Sequence, residues 1–376
     1  MNANELFFTA IKTQFPWANC KLPCPEEISK ETISEAYSIA QKQDMGHLFC
    51  AATANLVDDS LKQEFNKQKM LAVFRREQIS FEEQRVFALF DEHKIDYIPL
   101  KGSVIKDFYP EAWMRTSSDT DILIHFENGE TAVNLLEEKL GYKYEGKSAK
   151  DFQLFSQSGV HLELHYSPEN GNGKTDKLLA KIWDYAYKPN PDSSRYNLTT
   201  EFLMFYTLSH ALYHFLGGGC GVKPFLDLWV MEAQARYKVE KLNALVKEGN
   251  CESFYNAFCG LTNVWFNNGE HTQLTQSMEN YIFGGGVYGS RENLGKAKAH
   301  REGGKAKFLL NRIFKPKKEL ALQYPNLEKR PWLLPYYQVK RWFNLFNKDR
   351  RKDVGAELQG GLKKDETEKL FKELEI

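Results

Sequence analysis

The sequence has few of the features that would place the protein in an oxidising compartment or in a membrane. Its 376 residues include six cysteines, at positions 20, 24, 50, 220, 251 and 259, and none belongs to a Cys-x-x-Cys pair. This spacing supplies neither a disulfide framework nor a full set of zinc ligands, so it predicts free thiols in a reducing environment. No apolar run approaches the roughly 18 residues of a membrane-spanning helix.

A net charge and a signal-peptide pattern are also missing. With 50 basic and 50 acidic residues the formal charge is zero, so the whole chain is not expected to attract nucleic acid. The first residues carry no basic cluster, and no long apolar stretch follows them. The sequence therefore predicts a cytoplasmic protein, and its 42% hydrophobic content suits a globular fold.

The chain is long enough for several packed subdomains, and its pattern changes along its length. We predict an N-terminal helical region that packs on the core, a catalytic core, a C-terminal helical region and a polar tail, at residues 1–94, 95–167, 198–352 and 353–376. The fold class expected is α/β (α+β), with a mixed sheet of four or five strands between helices. A Gly- and charge-rich stretch at 284–306 indicates a loop.

A long helix is predicted at about 60–94. Its apolar residues recur at spacings of three and four, which is typical of one stripe that faces a core. That stripe would contain Phe65, Met70, Leu71, Phe74, Ile79, Phe81, Val86, Phe87, Leu89 and Phe90.

Strands are predicted in the central region at 97–100, 119–126, 152–157 and 160–166, the last two joined as a hairpin at Ser158-Gly159. Side chains alternate along a strand, so Asp119 and Asp121 point to one face while Ile122 and Ile124 point to the other face, toward a core. Two neighbouring carboxylates repel each other unless a cation lies between them, so this pair indicates a divalent metal site.

Two further features complete a pattern that suits nucleotidyl transfer. Gly102-Ser103 follows the first strand, where a backbone without Cβ and a hydroxyl would hold the β- and γ-phosphates. Glu163, on the last strand, is the candidate third carboxylate. Three carboxylates holding two Mg²⁺ ions would clamp a nucleoside triphosphate such as ATP, activate an acceptor oxygen and stabilise the pyrophosphate that leaves.

His161 and His165 flank Glu163 on the same face of the predicted strand. They are candidates for orienting the metal-bound carboxylates, or His165 for the base that takes the proton of an acceptor hydroxyl. A His-Glu-His zinc site is the alternative, although three ligands on one flat strand lie too far apart for a tetrahedral ion.

Lys101 and Arg115 are candidate partners for the charge of the triphosphate, because arginine matches the geometry of a phosphate. Two alternatives stay open. Either residue would be an exposed cation that pairs with Asp107 or Glu111, or Lys101, which lies in the middle of the predicted strand, would be buried against an acid.

These motifs resemble the nucleotidyltransferase superfamily of the DNA polymerase β type, and more narrowly a bacterial group of uncharacterised nucleotidyltransferases. The resemblance rests on Leu-Lys-Gly at 100–102, Arg115, the Asp119-Thr-Asp121 motif and the Glu163-Leu-His165 motif. It implies catalytic and metal-binding roles for Asp119, Asp121 and Glu163, and binding of the nucleotide at Lys101, Gly102, Ser103 and Arg115. Thr120 replaces the usual aliphatic residue, and the stretch from Ser103 to Asp119 is longer than in the wider superfamily.

The helical part of that group is also suggested, by His210, His214 and the Phe225-Leu-Asp227-Leu stretch. We interpret the two histidines as structural, with the lining of an acceptor pocket as the alternative. Asp227 is expected to cap or pair with them.

A basic segment with many aromatic residues covers 301–352, where 15 Lys and Arg stand against 4 Asp and Glu. We favour an amphipathic layer that packs on the core over contact with nucleic acid or a membrane surface. Its apolar residues include Phe308, Leu310, Ile313, Phe314, Trp332, Leu333, Leu334, Trp342, Phe343 and Phe346.

The predicted activity is transfer of a nucleotide from a nucleoside triphosphate to an acceptor that the sequence does not identify: a sugar, a small metabolite, a protein or RNA. Two alternatives are a catalytically silent nucleotide-binding scaffold and an enzyme that adds nucleotides to RNA. The RNA enzyme predicts binding that weakens steeply with salt.

Overall fold

The structure is a computed structural model, and it describes residues 1–169, 171, 173–287, 289–324, 326–343, 348–362 and 367–376. The chain divides into two compact units. One contains Met1–His210 and Lys223–Glu270, and the other contains Ala211–Val222 and His271–Ile376. The predicted α/β class is confirmed, because a five-stranded mixed sheet lies between N-terminal and C-terminal helices in the chain.

The sheet belongs to the first unit and has the strand order β1-β2-β5-β4-β3. Its strands are β1 (Tyr97–Pro99), β2 (Asp119–Ile124), β3 (Lys143–Lys147), β4 (Asp151–Phe155) and β5 (His161–His165). Strand β5 pairs parallel with β2 and antiparallel with β4. A short ladder of β6 (Ala186–Tyr187) and β7 (Asn197–Leu198) is separate from this sheet.

Helices make up most of the remainder of the first unit. They are α1 (Ala3–Lys12), α2 (Lys30–Lys42), α3 (Gly46–Thr53), α4 (Asp59–Glu92), α5 (Gly102–Ile105), α6 (Gly129–Leu140), α7 (Asp176–Leu179), α8 (Thr200–Leu216), α9 (Lys223–Gln234), α10 (Val239–Glu248) and α11 (Glu252–Phe266). The last residues of α8 belong to the second unit.

One face of the sheet is apolar and forms a core with α4 and α6. Ile122 and Ile124 of β2 and Leu162 and Leu164 of β5 are buried there. They pack with Val86, Leu89 and Phe90 of α4 and with Ala132, Val133 and Leu136 of α6. Because strand residues alternate between faces, this core directs the carboxylates of β2 and β5 to the opposite face.

The β4–β5 hairpin is fixed by its own turn and by α4. The Ser156 amide donates to the Val160 carbonyl at 2.9 Å, and Gly159 adopts a positive φ of 81°. From α4, the Gln78 side chain donates to the Ser158 carbonyl, and Glu82 accepts from the Ser158 hydroxyl. The turn is therefore held by its own backbone hydrogen bond and by two side chains of α4.

The long helix α4 is present as predicted, but its predicted apolar stripe is partly wrong. Four of the ten residues are exposed: Met70, Leu71, Phe74 and Phe81. The buried face instead runs through charged residues, since Arg76 and Glu83 are both almost fully buried and form an ion pair of 2.5 Å. Lys106 adds a second contact to Glu83, at 2.6 Å. The buried ion pair of Arg76 and Glu83 therefore occupies part of the α4 face that was expected to be apolar.

The sequence pattern does not predict strand β3, because β3 is an edge strand with largely exposed side chains. Its sequence, Lys-Tyr-Glu-Gly-Lys, shows no alternation of apolar and polar residues. It pairs only with β4, and a register shift lies between Tyr144 and Gly146. An edge strand with this composition has no apolar face to reveal it.

The second unit is helical in the described residues. It contains α12 (Gln273–Gly285), α13 (Arg291–Arg301), α14 (Lys305–Ile313), α15 (Lys317–Gln323), α16 (Asn326–Lys329), α17 (Leu334–Phe343), α18 (Lys348–Leu362) and α19 (Thr367–Glu373). The loop expected at 284–306 is therefore wrong over α13. Nowhere in the described chain is a helix both long and apolar enough to cross a membrane.

Packing of the 301–352 segment also differs from the expectation. Phe308 is buried, but six of the ten apolar residues in the prediction are exposed: Leu310, Ile313, Phe314, Trp332, Trp342 and Phe343. Phe346 lies outside the described residues. The segment is therefore not a simple packing layer.

Candidate active site

The polar face of the sheet brings together acidic side chains from β2 and β5. In the parallel pairing, Asp121 lies opposite Glu163 and Asp119 opposite His161. The potential ligand atoms of Asp121, Glu163 and His165 all lie within 4.8 Å of one another. Strands some 40 residues apart in sequence thus bring Asp121 and Glu163 together with His165.

Asp121 lies at the centre of this group and accepts two hydrogen bonds at the same oxygen. Lys101 Nζ is 2.7 Å and His165 Nε2 is 2.8 Å from Asp121 Oδ1. Burial alone would raise the pKa of Asp121, but the positive charge of Lys101 and the contacts with His165 hold it well below its usual value. Asp121 is therefore ionised at neutral pH.

His165 links the two carboxylates of the group. Besides its bond to Asp121, its Nε2 lies 3.3 Å from Glu163 Oε2, while Nδ1 faces Asp151 Oδ2 at 3.9 Å. Burial opposes the charged ring, but the hydrogen bonds to Asp121 and Glu163 outweigh burial and raise the pKa of His165 to about 9. The bond from His165 is also the main cause that lowers the pKa of Glu163.

Asp119, two residues before Asp121, has a different partner. It accepts a hydrogen bond from the Ser117 hydroxyl at 2.9 Å. Burial, and next the charge of Asp121, raise the pKa of Asp119. An additional positive charge at this face would relieve that repulsion, since opposite charge favours the ionised form of a carboxyl group.

Lys101 occupies a strained turn and not the middle of a strand, which corrects the reading of this residue. Its φ of 47° and ψ of −122° are favoured by glycine. The Ser103 amide closes the turn by donating to the Leu100 carbonyl at 3.1 Å. The alternative that buries Lys101 against an acid matches the structure, because its ammonium group pairs with Asp121. Strain of this kind costs about 1–3 kcal/mol and is concentrated at functional sites.

Gly102 and Ser103 begin α5 directly beside this turn. A Cβ on Gly102 would lie 3.2 Å from the Cβ of Ser117 and 3.7 Å from Nη1 of Arg115. Arg115 therefore lies next to the glycine of the predicted phosphate site.

Arg115 pairs with Asp227 of α9, and not with Asp107 or Glu111. Its Nε and Nη2 donate to the two oxygens of Asp227 at 2.6 and 2.8 Å. The Tyr109 hydroxyl donates to the same carboxylate at 2.7 Å. The expected pairing of Asp227 with His210 and His214 is replaced by this arrangement, which joins α9 to the loop before β2.

Tyr206 of α8 is a site residue that the sequence analysis missed. It is buried close enough to Lys101, Asp121 and Glu163 to interact with their charges, and burial, the largest cause, raises its pKa to about 12. One helical turn later, the ring of His210 stacks on that of Tyr206 with a centroid distance of 6.4 Å. Residue spacing alone does not reveal Tyr206, because α8 is apolar along most of its length.

His161 is positioned differently from His165. Its ring stacks on that of Phe155 with centroids 4.5 Å apart. The potential metal-ligand group contains His165 and not His161, so a His161-Glu163-His165 zinc site is not assembled in the described structure.

The donor set suits a hard divalent cation. Carboxylate oxygens are the protein ligands that Mg²⁺ prefers. Asp121 and Glu163 supply them within one close group, and Asp119 lies outside that group but points to the same face of β2 as Asp121. Burial and, after it, repulsion by Asp121 raise the pKa of Asp119, and a cation at this face would offset that repulsion. The residues therefore fit such an ion.

A family model described as an uncharacterised nucleotidyltransferase matches residues 29–267. The match covers more than half of the chain, so the protein belongs to this nucleotidyltransferase family. The resemblance inferred from the motifs is confirmed. The matched region includes the whole sheet, the Lys101 turn and Asp227. A search of curated proteins gave no match.

Proposed function

We propose that the protein is a Mg²⁺-dependent nucleotidyltransferase that transfers a nucleoside monophosphate from a nucleoside triphosphate to an acceptor and releases pyrophosphate. The observation that carries this proposal is the parallel register of β2 and β5, which places Asp121 opposite Glu163. Family membership supports the same reaction class.

Asp119, Asp121 and Glu163 would hold the metal. Bound Mg²⁺ would neutralise charge on the phosphates and polarise the phosphorus that is attacked. His165 orients Asp121 and Glu163, because its Nε2 contacts both carboxylates and its Nδ1 faces a third acid, Asp151. With both ring nitrogens directed at acids, His165 is better placed to fix these ligands than to act as the base.

The triphosphate would bind at the turn before α5. The Ser103 amide is already used inside the turn, so we assign phosphate contact to the Ser103 hydroxyl and to the backbone of Gly102. Lys101 supplies a cation at the same place, and the strained turn keeps its ammonium group beside the carboxylates.

Arg115 would contribute its charge to the same phosphates. Asp227 holds two of its three guanidinium nitrogens, and the third donates to the Thr116 carbonyl. A side chain fixed in this way stabilises charge without reorganising during the reaction. We therefore assign Asp227 as the residue that positions Arg115.

The proposed acceptor is a sugar, a small metabolite, a protein side chain or RNA. Tyr206 and His210 on α8 are the candidates for its pocket, because the charges of Lys101, Asp121 and Glu163 reach the buried Tyr206 hydroxyl and the His210 ring stacks on that of Tyr206. Both residues carry groups that hydrogen-bond a hydroxyl.

The test is incorporation of label from a panel of α-labelled nucleoside triphosphates, with Mg²⁺ and cell extract as the source of acceptors. Glu163→Gln and Asp121→Asn should each lower transfer by at least about a hundredfold, since each removes a metal ligand. Glu145→Gln is the matched control, because Glu145 lies on the edge strand of the same sheet and is exposed.

Two results would contradict the proposal, and a third would identify RNA as the acceptor. Label transfer that survives Asp119→Asn combined with Asp121→Asn would remove the carboxylates from the reaction. Nucleotide binding in calorimetry without transfer to any acceptor would instead favour the silent scaffold. Transfer to RNA that falls steeply with salt would identify the RNA-modifying alternative.

A further inference from the structure

The second unit carries an apolar surface that is exposed in the described structure. Trp332 is 72% exposed, and Tyr336 and Val339 of α17 are 59% and 43% exposed. Ile313, Phe314 and Trp342 are also exposed. We call this set the Trp332 surface; its residues are Ile313, Phe314, Trp332, Tyr336, Val339 and Trp342.

Contacts between the end of α14 and α17 bring Ile313, Phe314 and Trp342 together. The Trp342 indole N–H donates to the Ile313 carbonyl at 3.0 Å, and the rings of Phe314 and Trp342 meet edge to face, with centroids 6.0 Å apart. Arg341 donates to the Ile313 carbonyl as well, at 2.8 Å. These bonds hold the C-terminal end of α14 against α17.

Along α17, the exposed positions share one helix face. Tyr336, Val339 and Trp342 follow one another at intervals of three, which places them on neighbouring turns. The other face of α17 is used for packing, because Tyr337 contacts a small core of Leu320, Ala321 and Leu327. The helix therefore has a supported inner face and an apolar outer face.

Positive charge is concentrated in the same segment. Residues 301–352 carry 15 basic against 4 acidic residues, while the whole chain has a formal charge of zero. The rest of the chain therefore has an equal excess of acidic over basic residues. Lys329, Arg330 and Lys340 are exposed and flank the Trp332 surface in sequence. A protein with this distribution is attracted to an anionic surface through this segment.

We propose that the Trp332 surface binds the surface of an anionic lipid bilayer. Tryptophan and tyrosine lie at the level of the headgroups, and aliphatic side chains enter the acyl boundary. Lys329, Arg330 and Lys340 contact the lipid phosphates. A bilayer uses the whole surface, because Ile313 and Val339 enter the acyl boundary together with the rings, whereas nucleic acid would stack only on the four aromatic rings.

The experiment is sedimentation of the full-length protein with vesicles. Vesicles of phosphatidylcholine alone are compared with vesicles in which a third of the lipid is phosphatidylglycerol. The protein should bind the anionic vesicles and leave the neutral ones largely unbound. Replacing Lys329, Arg330 and Lys340 by glutamine should weaken partitioning by about a hundredfold at low salt, since each basic residue contributes about fivefold.

A second variant tests the apolar part. Trp332→Ser, Tyr336→Ser and Val339→Ser together should lower binding by about tenfold or more, because their apolar area no longer enters the bilayer. The matched control replaces three exposed apolar residues of the first unit, Met70, Phe74 and Phe81, by serine. This control should bind like the unmodified protein. Far-UV circular dichroism and thermal unfolding establish that each variant is folded.

The proposal is overturned if the Trp332 variant sediments with anionic vesicles as strongly as the unmodified protein. It is also overturned if the Met70 variant loses binding equally, since that would indicate non-specific adsorption. A third contrary result is salt-sensitive binding to single-stranded RNA without binding to vesicles. Because none of these measurements involves nucleotide, the outcome is independent of the transfer reaction.

Discussion

The ion pair between Arg115 and Asp227 offers the sharpest test of how the site is held. Asp227 is only 2% exposed and Arg115 11% exposed, and two hydrogen bonds join them. Asp227→Asn removes the negative charge, leaves the arginine charge buried without its partner and weakens the contact with Tyr109. Loss of one partner from a buried pair costs about 3–5 kcal/mol in the free energy of unfolding.

The measurement is chemical denaturation followed by both tryptophan fluorescence and circular dichroism. Glu248→Gln is the control, because Glu248 forms an ion pair with Lys181 in which both side chains are about half exposed. Such a pair contributes about 0–1 kcal/mol, so the control should change stability little.

A double-mutant cycle with Arg115→Met separates the pair from its surroundings. The loss in the double variant should be smaller than the sum of the two single losses by about 2–3 kcal/mol, since residues in one buried network are coupled. The reasoning is refuted if Asp227→Asn costs less than about 1 kcal/mol, or if the two losses simply add. Weaker binding of nucleoside triphosphate by Asp227→Asn would connect this pair to the reaction.

Two further predictions concern stability. Burial lowers the pKa of His47 from 6.5 to about 4, so the unfolded state binds more protons between these values and stability should fall by about 3 kcal/mol as the pH drops from 6.5 to 4. Acid titration should show a smaller loss for His47→Gln, and equal losses would exclude His47 as the cause. Gly129→Ala should cost about 1–3 kcal/mol, because the new Cβ would lie 2.5 Å from the Phe152 ring. Gly284→Ala, with nothing within 4 Å, is its control in thermal unfolding and should be neutral or stabilising.

The sequence predicts the two strands that carry Asp119, Asp121 and Glu163 well because their signals are local. Asp119 and Asp121 belong to a strand whose two faces differ in polarity, and a clear turn precedes the strand of Glu163. The alternation of side chains and the position of the turn therefore specify both strands. The family match confirms the membership that this order suggests. The roles of the individual residues stay predictions until the transfer assay is done.

What the sequence does not reveal depends on contacts between distant residues. Arg115 and Asp227 are 112 positions apart, and no local pattern indicates that they pair. Tyr206 lies in an apolar helix where nothing distinguishes it from a packing residue. In α4, the sequence favoured apolar residues for the buried face, but Arg76 and Glu83 neutralise each other there and take that place.

The β4–β5 hairpin makes the site sensitive to chain length at one point. Ser156 and Val160 close the turn, and β5 leaves it one residue later, so each position of β5 is counted from this turn. Adding one residue between Ser156 and Val160 would shift β5 by one place. Leucine would then face Asp121 where Glu163 now lies, and Glu163 would enter the apolar core. An insertion of a single residue here would thus remove a carboxylate from the site without changing any side chain in it.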